Sequence, residues 1–303
     1  MADPTLTIIM VSYNTRALTL AAIRTCLETT RETAFTLVVF DNASTDGSAE
    51  AIDAAFGDDP RVALVRSDDN LGFARANNVV AETARGEFLL LLNPDTECHA
   101  GAVDGLMAFA RAEPQAGIWG GRTVFPDGTL NIASCWNRVT LWSTFCWATG
   151  LSSAFRGSEF FNPEAMGGWQ RDSVRQVDIV VGCFLLIPRA LWEDLGGFDL
   201  KYFMYGEEAD LCLRAAARGH APMVTPEAQI MHVVGAAAGQ RSDKRISVLR
   251  AKATLMRDHW PRWQVPLGLG LMWVAQAARR VASRGAAARE IWAARRTWLG
   301  GYE

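Results

Sequence analysis

Strand and helix signals alternate through residues 6–92 of this 303-residue chain. Leu6–Val11 is an apolar strand candidate, Ala17–Thr29 has helical spacing through Leu18, Ala21, Ala22 and Leu27, and Phe35–Phe40 is a second buried strand ending at Asp41. A helix over Ser48–Phe56, a strand at Val62–Val65, a helix over Ala74–Thr83 and a strand at Phe88–Leu92 follow. That alternation, at that spacing, predicts an α/β fold with a parallel sheet of right-handed crossover units. Every strand then delivers its following loop to one edge, the edge where ligands bind in open sheets.

The loops at that edge carry chemistry. Four consecutive leucines, Leu89–Leu92, suit a strand buried on both faces, and Pro94 takes the chain out of the sheet with Asn93 and Asp95 at its carboxyl end. Asp95 there either holds a hard divalent cation, and through it a diphosphate, or merely caps a turn. Ser12-Tyr13-Asn14 follows the first strand and Asp41-Asn42 the second, so a flat ring and a hydrogen-bond acceptor meet one planar ligand, for which a nucleotide base has the shape. Ser44 or Asp46 also serves to cap the helix at Ser48. Asn70-Leu71-Gly72-Phe73-Ala74-Arg75 opens the next helix, whose start favours an anion; Arg75 is either a partner for it or a solvated side chain. Neither Gly-x-Gly-x-x-Gly nor Gly-x-x-x-x-Gly-Lys-Ser/Thr occurs after a strand, which disfavours dinucleotide and P-loop chemistry.

Further along, Gly120–Val174 is irregular and aromatic, either a loop over a site or irregular core, with Asp127-Gly128 as a hairpin turn. Val177–Ile187 reads as one strand and Ala209–Arg218 as a helix. Glu207 and Glu208 stand at the start of that helix. They are either dipole-stabilised caps or, dehydrated by the nearby aromatics, a general base.

Composition bounds the rest. With 50% hydrophobic and 21% charged residues the chain is globular, and six scattered cysteines without a Cys-x-x-Cys pair read as reduced thiols. No basic n-region opens the chain, so a cytoplasmic location is expected. Residues 241–303 carry 13 Lys and Arg against 4 Asp and Glu, whereas residues 1–240 carry 17 against 29. We therefore expect a domain at 1–240 and a basic, tryptophan-rich helical extension at 241–303. Val265–Ala278 is too short to cross a bilayer, leaving three destinations for the extension: an anionic membrane surface, the domain itself, or a homodimer. Nucleic acid is not expected as a partner, because the rest of the chain is acidic.

The order Ser-Tyr-Asn, Asp-Asn-Ala-Ser-Thr-Asp-Gly-Ser, Asn-Leu-Gly-Phe-Ala-Arg-Ala-Asn-Asn, Asn-Pro-Asp, Gly-Gly-Phe-Asp, Phe-Met-Tyr-Gly-Glu-Glu-Ala-Asp-Leu-Cys-Leu-Arg and a late His resembles the family-2 inverting glycosyltransferases from Thr7 to His232, most of all their bacterial rhamnosyltransferase-like branch. The resemblance implies a GT-A fold and a nucleoside-diphosphate sugar held by Ser12, Tyr13, Asn14, Asp41 and Asn42, with Asn70, Gly72, Arg75, Asn77 and Asn93 near the diphosphate and sugar. It implies Mg²⁺ or Mn²⁺ on Asp95 and His232. Asn93 stands where the family has the first carboxylate of Asp-x-Asp. The acceptor base would be Glu208, or Glu207, where the family usually has Glu-Asp. The donor would be dTDP-rhamnose, behind it a UDP-linked galactofuranose, galactose or glucose, and the acceptor a glycan or polyprenyl-diphosphate-linked glycan of cell-envelope polysaccharide synthesis, reached from the inner face of the cell membrane. A non-catalytic module binding nucleotide sugar or glycan is the alternative of another class.

Overall fold

Strands β1 (Leu6–Ser12), β2 (Phe35–Asp41), β3 (Val62–Arg66) and β4 (Phe88–Leu92) run parallel in the order β3-β2-β1-β4, linked by helices α1 (Arg16–Thr29), α2 (Ser48–Phe56) and α3 (Gly72–Thr83). The alternation in the sequence is thus the architecture. All five residues of β4 are buried. Leu90 and Leu92 face the layer of α1 and α2, and Leu89 and Leu91 face the layer of α3, as a period of two requires. This computed structural model describes residues 5–233, 241–283 and 285–302. The first four residues, the boundary expected at 240, and Arg284 lie outside it.

Beyond β4 come β5 (Thr96–Cys98), α4 (Ala102–Ala112), β6 (Trp119–Val124), β7 (Leu130–Asn131), β8 (Cys135–Trp136), α5 (Leu141–Thr149), α6 (Leu151–Ala154), β9 (Arg175–Gln176), β10 (Ile179–Val180) and β11 (Phe184–Pro188). The Asp127-Gly128 turn joins β6 to β7 in an antiparallel pair, with Gly128 at φ 80°. After β11 come α7 (Arg189–Leu195), α8 (Glu207–Ala217) and β12 (Met223–His232). The sheet continues past β4 as β11-β6-β12-β5, with β11 antiparallel to both neighbours and β12 parallel to β6, so it is mixed but mostly parallel along its length. α4 joins α1 and α2 on one face; α7 and α8 join α3 on the other.

Two expectations change. Val177–Ile187 is not one strand: β10 pairs with β8 in a separate ribbon, and a turn at 181–183 leads into β11. Gly182 permits this turn, since a Cβ there would press on the Phe73 ring at 3.2 Å. The aromatic stretch is neither wholly lid nor wholly core. Trp169 packs on the core beside Arg171 and Arg175, while Trp142 of α5 gathers with Phe155 and Phe160 around Phe161 in an exposed cluster. All six cysteines are buried and free.

The C-terminal helices, α9 (Arg241–His259), α10 (Val265–Ala282), α11 (Ala286–Ala293) and α12 (Arg295–Gly300), pack back on the rest of the chain. Ala251, Leu255 and Tyr302 share a buried cluster with Ile179, Tyr202 and Leu213, and Trp298 is fully buried. Trp260 donates its indole N–H to the Val139 carbonyl at 2.8 Å, and the Tyr302 hydroxyl donates to the Met204 carbonyl at 2.6 Å.

Candidate active site

The parallel register sets Ser12 beside Asp41 at the carboxyl edge. Their loops are then fastened together: the Asn42 N–H donates to the Ser12 carbonyl at 2.8 Å, and the Thr45 N–H donates to the Asn14 side chain at 2.8 Å. Asn14 takes a positive φ of 53° to do so. The Ser12 hydroxyl is fully buried and committed to Thr19 at 2.9 Å, so it supports the loop from beneath. Tyr13 projects, 44% exposed. Asn42 ties in the third loop, donating to Asn70 Oδ1 at 2.9 Å and accepting from the Leu71 N–H at 2.7 Å, while Asn70 accepts from the Gly72 N–H at 2.9 Å. Arg75 is exposed and has no ion pair among the described residues. The structure therefore brings these three loops to one place.

Asn93 and Asp95 lie next to them. The Asn93 N–H donates to the Cys183 carbonyl at 3.2 Å, and the Val233 N–H donates to the Asp95 carbonyl at 2.9 Å. His232, the last residue of β12, places Nε2 at 3.2 Å from Asp95 Oδ1. Burial works against charge on this imidazole, but the hydrogen bond to Asp95, with Cys183 close by, prevails and holds it up at about 10. A divalent cation bound here would displace the imidazole proton, leaving a carboxylate oxygen and a neutral imidazole nitrogen as its donors.

Glu207 and Glu208 open α8 after Gly206, which is left-handed at φ 98°. Burial pushes both carboxyls up, and the Glu208 charge pushes Glu207 further. Backbone N–H groups of Glu208 itself and of Gly182 oppose the rise at Glu208. The two charges repel, so ionising both acids at once is costly. Tyr205 lies near enough for burial and then both carboxylates to raise its phenol, whereas Phe203 is 68% exposed and dehydrates nothing. Asp210 anchors the helix, pairing with Arg214 at 2.7 Å and with His259 at 2.9 Å. Asp258 and His259 complete an acidic cluster with it, but Arg214 and Lys201 already neutralise that cluster.

One deficit runs through the site. Asp41 Oδ1, Asn77 Oδ1, Glu207 Oε2, Glu208 Oε2 and His232 Nδ1 are buried with no hydrogen-bond partner among the described residues. Buried polar atoms are normally satisfied, so these five are available to a polar ligand or to water; Thr30, Arg122, Asn131, Arg171, Gln276 and Arg279 carry further unpartnered atoms outside the site. Sequence reasoning missed the 181–183 turn, which touches Asn93, His232 and Glu208 at once. Its one signal was Gly182 within an apolar run.

Residues 7–178 match the model of the family described as Glycosyl transferase family 2. An N-acetylglucosaminyl-diphospho-decaprenol L-rhamnosyltransferase of Mycobacterium tuberculosis is 27% identical over 256 residues, covering 76% of this chain and 78% of that one. A mannosyltransferase from Pyrobaculum calidifontis, solved with GDP-Man and Mn²⁺, superposes with TM-score 0.59 at 20% identity over 99% of this chain and 84% of its own. S. aureus TarS 1-349 with UDP-GlcNAc gives 0.58 at 15% identity, over 96% and 79%. The likeness to the two structures is one of fold, and the architecture is GT-A.

Proposed function

Because the chain belongs to glycosyl transferase family 2, and is therefore an enzyme that moves a sugar from a nucleotide donor, we propose that it transfers L-rhamnose from dTDP-rhamnose, with inversion, to a glycan on polyprenyl diphosphate. Family membership removes the reading as a non-catalytic binding module. Similarity to a rhamnosyltransferase whose acceptor is a sugar on decaprenyl diphosphate supports both the sugar and the acceptor.

The observation that carries the catalytic assignment is the Glu208 carboxylate, with a buried unpartnered oxygen and a raised pKa, beside the 181–183 turn that also touches Asn93 and His232. In this reading Glu208 takes the proton of an acceptor hydroxyl. The freed oxygen attacks the anomeric carbon as the bond to the diphosphate breaks, and dTDP leaves. Glu207 stays protonated behind it. Tyr13 stacks on the base, the orphan Oδ1 of Asp41 accepts from a base N–H, and the Asn42-Asn70-Gly72 loop lines the ribose. Arg75 and Asn77 meet the phosphate and sugar, with Asn93 alongside.

Asp95 and His232 fit a divalent cation, because Nε2 of His232 and Oδ1 of Asp95 converge at the strand ends. A carboxylate–imidazole pair suits Mn²⁺ better than Mg²⁺, which prefers all-oxygen shells. Bound there, the cation supplies charge neutralisation to the departing diphosphate.

Thermal shifts with dTDP-rhamnose, UDP-galactose and UDP-glucose, each with Mn²⁺, test the donor. A ligand at about 100 times its Kd adds about 2.7 kcal/mol of stability. The largest shift and fastest nucleotide release are expected from dTDP-rhamnose, and Asp95→Ala should lose the Mn²⁺-dependent part of both. A UDP-sugar in first place would overturn the choice of sugar, and an unchanged Mn²⁺ response in Asp95→Ala would overturn the metal site.

A further inference from the structure

α10 is turned inside out. Its solvent side carries Leu267, Gly270, Val274, Ala278 and Val281, spaced three or four residues apart and so aligned in one stripe without a charge, with Trp273 along its edge. Leu267 is 51% exposed, Val274 55% and Val281 85%, and Trp263 just before the helix is 66% exposed. The inner side holds Gly268, Met272 and Ala275, together with Gln276, only 3% exposed and with Nε2 unpartnered. A helix made for water would bury the valines and expose the glutamine.

We infer that this stripe docks on an anionic lipid bilayer, with α10 lying in the plane of the interface. No helix among the described residues is long and apolar enough to cross a membrane, which leaves a surface position. The flank of the stripe has the matching polarity. Trp273 packs against Trp292 with ring centroids 5.5 Å apart, and the Arg295 guanidinium lies 5.3 Å from the Trp292 ring. Arg280 follows Trp273 by two turns on the same line of the helix. Interfacial tryptophans with arginines beside an apolar face are the arrangement that partitions into an anionic headgroup layer.

A second copy of the chain fits less well. A stripe one helix wide along 18 residues offers about 300 Å², whereas a stable dimer buries roughly 800 Å² per partner. Two copies would also bring these arginines together. The inference does not depend on which sugar is transferred.

Full-length protein should sediment with vesicles of phosphatidylcholine plus phosphatidylglycerol and stay in solution with phosphatidylcholine alone. Leu267→Asp with Val274→Asp should lower the bound fraction about tenfold or more, and Arg280→Glu should weaken binding to the anionic vesicles. Both variants should keep wild-type donor turnover, which separates this result from the catalytic reading. Equal sedimentation of wild type and the double variant overturns the inference, as does wild type left in solution. Light scattering that shows a dimer abolished by the double variant would assign the face to a second copy instead.

Discussion

At the carboxyl edge of the sheet polar atoms are buried without partners, while along α10 apolar side chains stand in water. The two regions carry opposite misplacements, and each names what it lacks by its own chemistry. Asp41, Asn77, Glu207, Glu208 and His232 call for donors, protons or a cation. Leu267, Val274 and Val281 call for an apolar medium. Other parts match side chain to surroundings: β4 is buried on both faces, and Asp104 accepts from three consecutive backbone N–H groups, of Arg31, Glu32 and Thr33.

The largest expected effect sits at the edge. Glu208→Gln keeps the shape and removes the base, so kcat should fall about 10²–10⁴-fold while nucleotide binding is retained. Glu207→Gln replaces a group held protonated by a neutral isostere and should keep turnover within about tenfold of wild type. Steady-state nucleotide release measures both, and equal losses would break the division of roles between the two acids.

The pH response sharpens the same point. Both carboxyls have folded pKa values above the unfolded value, so the folded chain holds protons that the unfolded chain has released. Stability should therefore fall as pH rises from the ordinary carboxylate range through the raised values, while turnover climbs because Glu208 becomes ionised. Glu207→Gln should remove its share of the stability loss, melting above wild type at alkaline pH and level with it near the unfolded carboxylate pKa. Thermal melts across pH check this, and a variant whose melting point tracked wild type throughout would show that Glu207 is not held protonated.

Much of this was legible in the chain. β1 to β4, their helices, the Asp127-Gly128 hairpin and the strand-end loops follow from local periodicity and turn chemistry, which neighbours in sequence carry by themselves. The 181–183 turn was not legible, because Val177–Ile187 is apolar throughout apart from Asp178, Gly182 and Cys183, and the contacts at the break are distant in sequence: Ile179–Val180 pair with Cys135–Trp136, and Phe73 lies against Gly182. The link of His259 to Asp210 spans 49 residues and has no local signal. Nor did the apolar content of Val265–Ala278 say which side faces in: that is set by Met272 and Leu269 meeting Trp147 and Trp260 in the C-terminal cluster.

The smallest effect tests the other pole of the comparison. On the inner side of α10, Met272 is 1% exposed, and Met272→Ala should cost about 2–5 kcal/mol through a cavity. On the outer side Val281 has almost nothing to lose, and Val281→Ser should change stability in water by less than about 0.5 kcal/mol. Denaturant unfolding of the two variants reads this contrast directly. A large loss in Val281→Ser would mean that the residue is covered in solution, so that the outer stripe already has a protein partner and not a bilayer. A negligible loss makes its exposure a true feature of the free chain, leaving the apolar stripe to be explained by something the chain meets later.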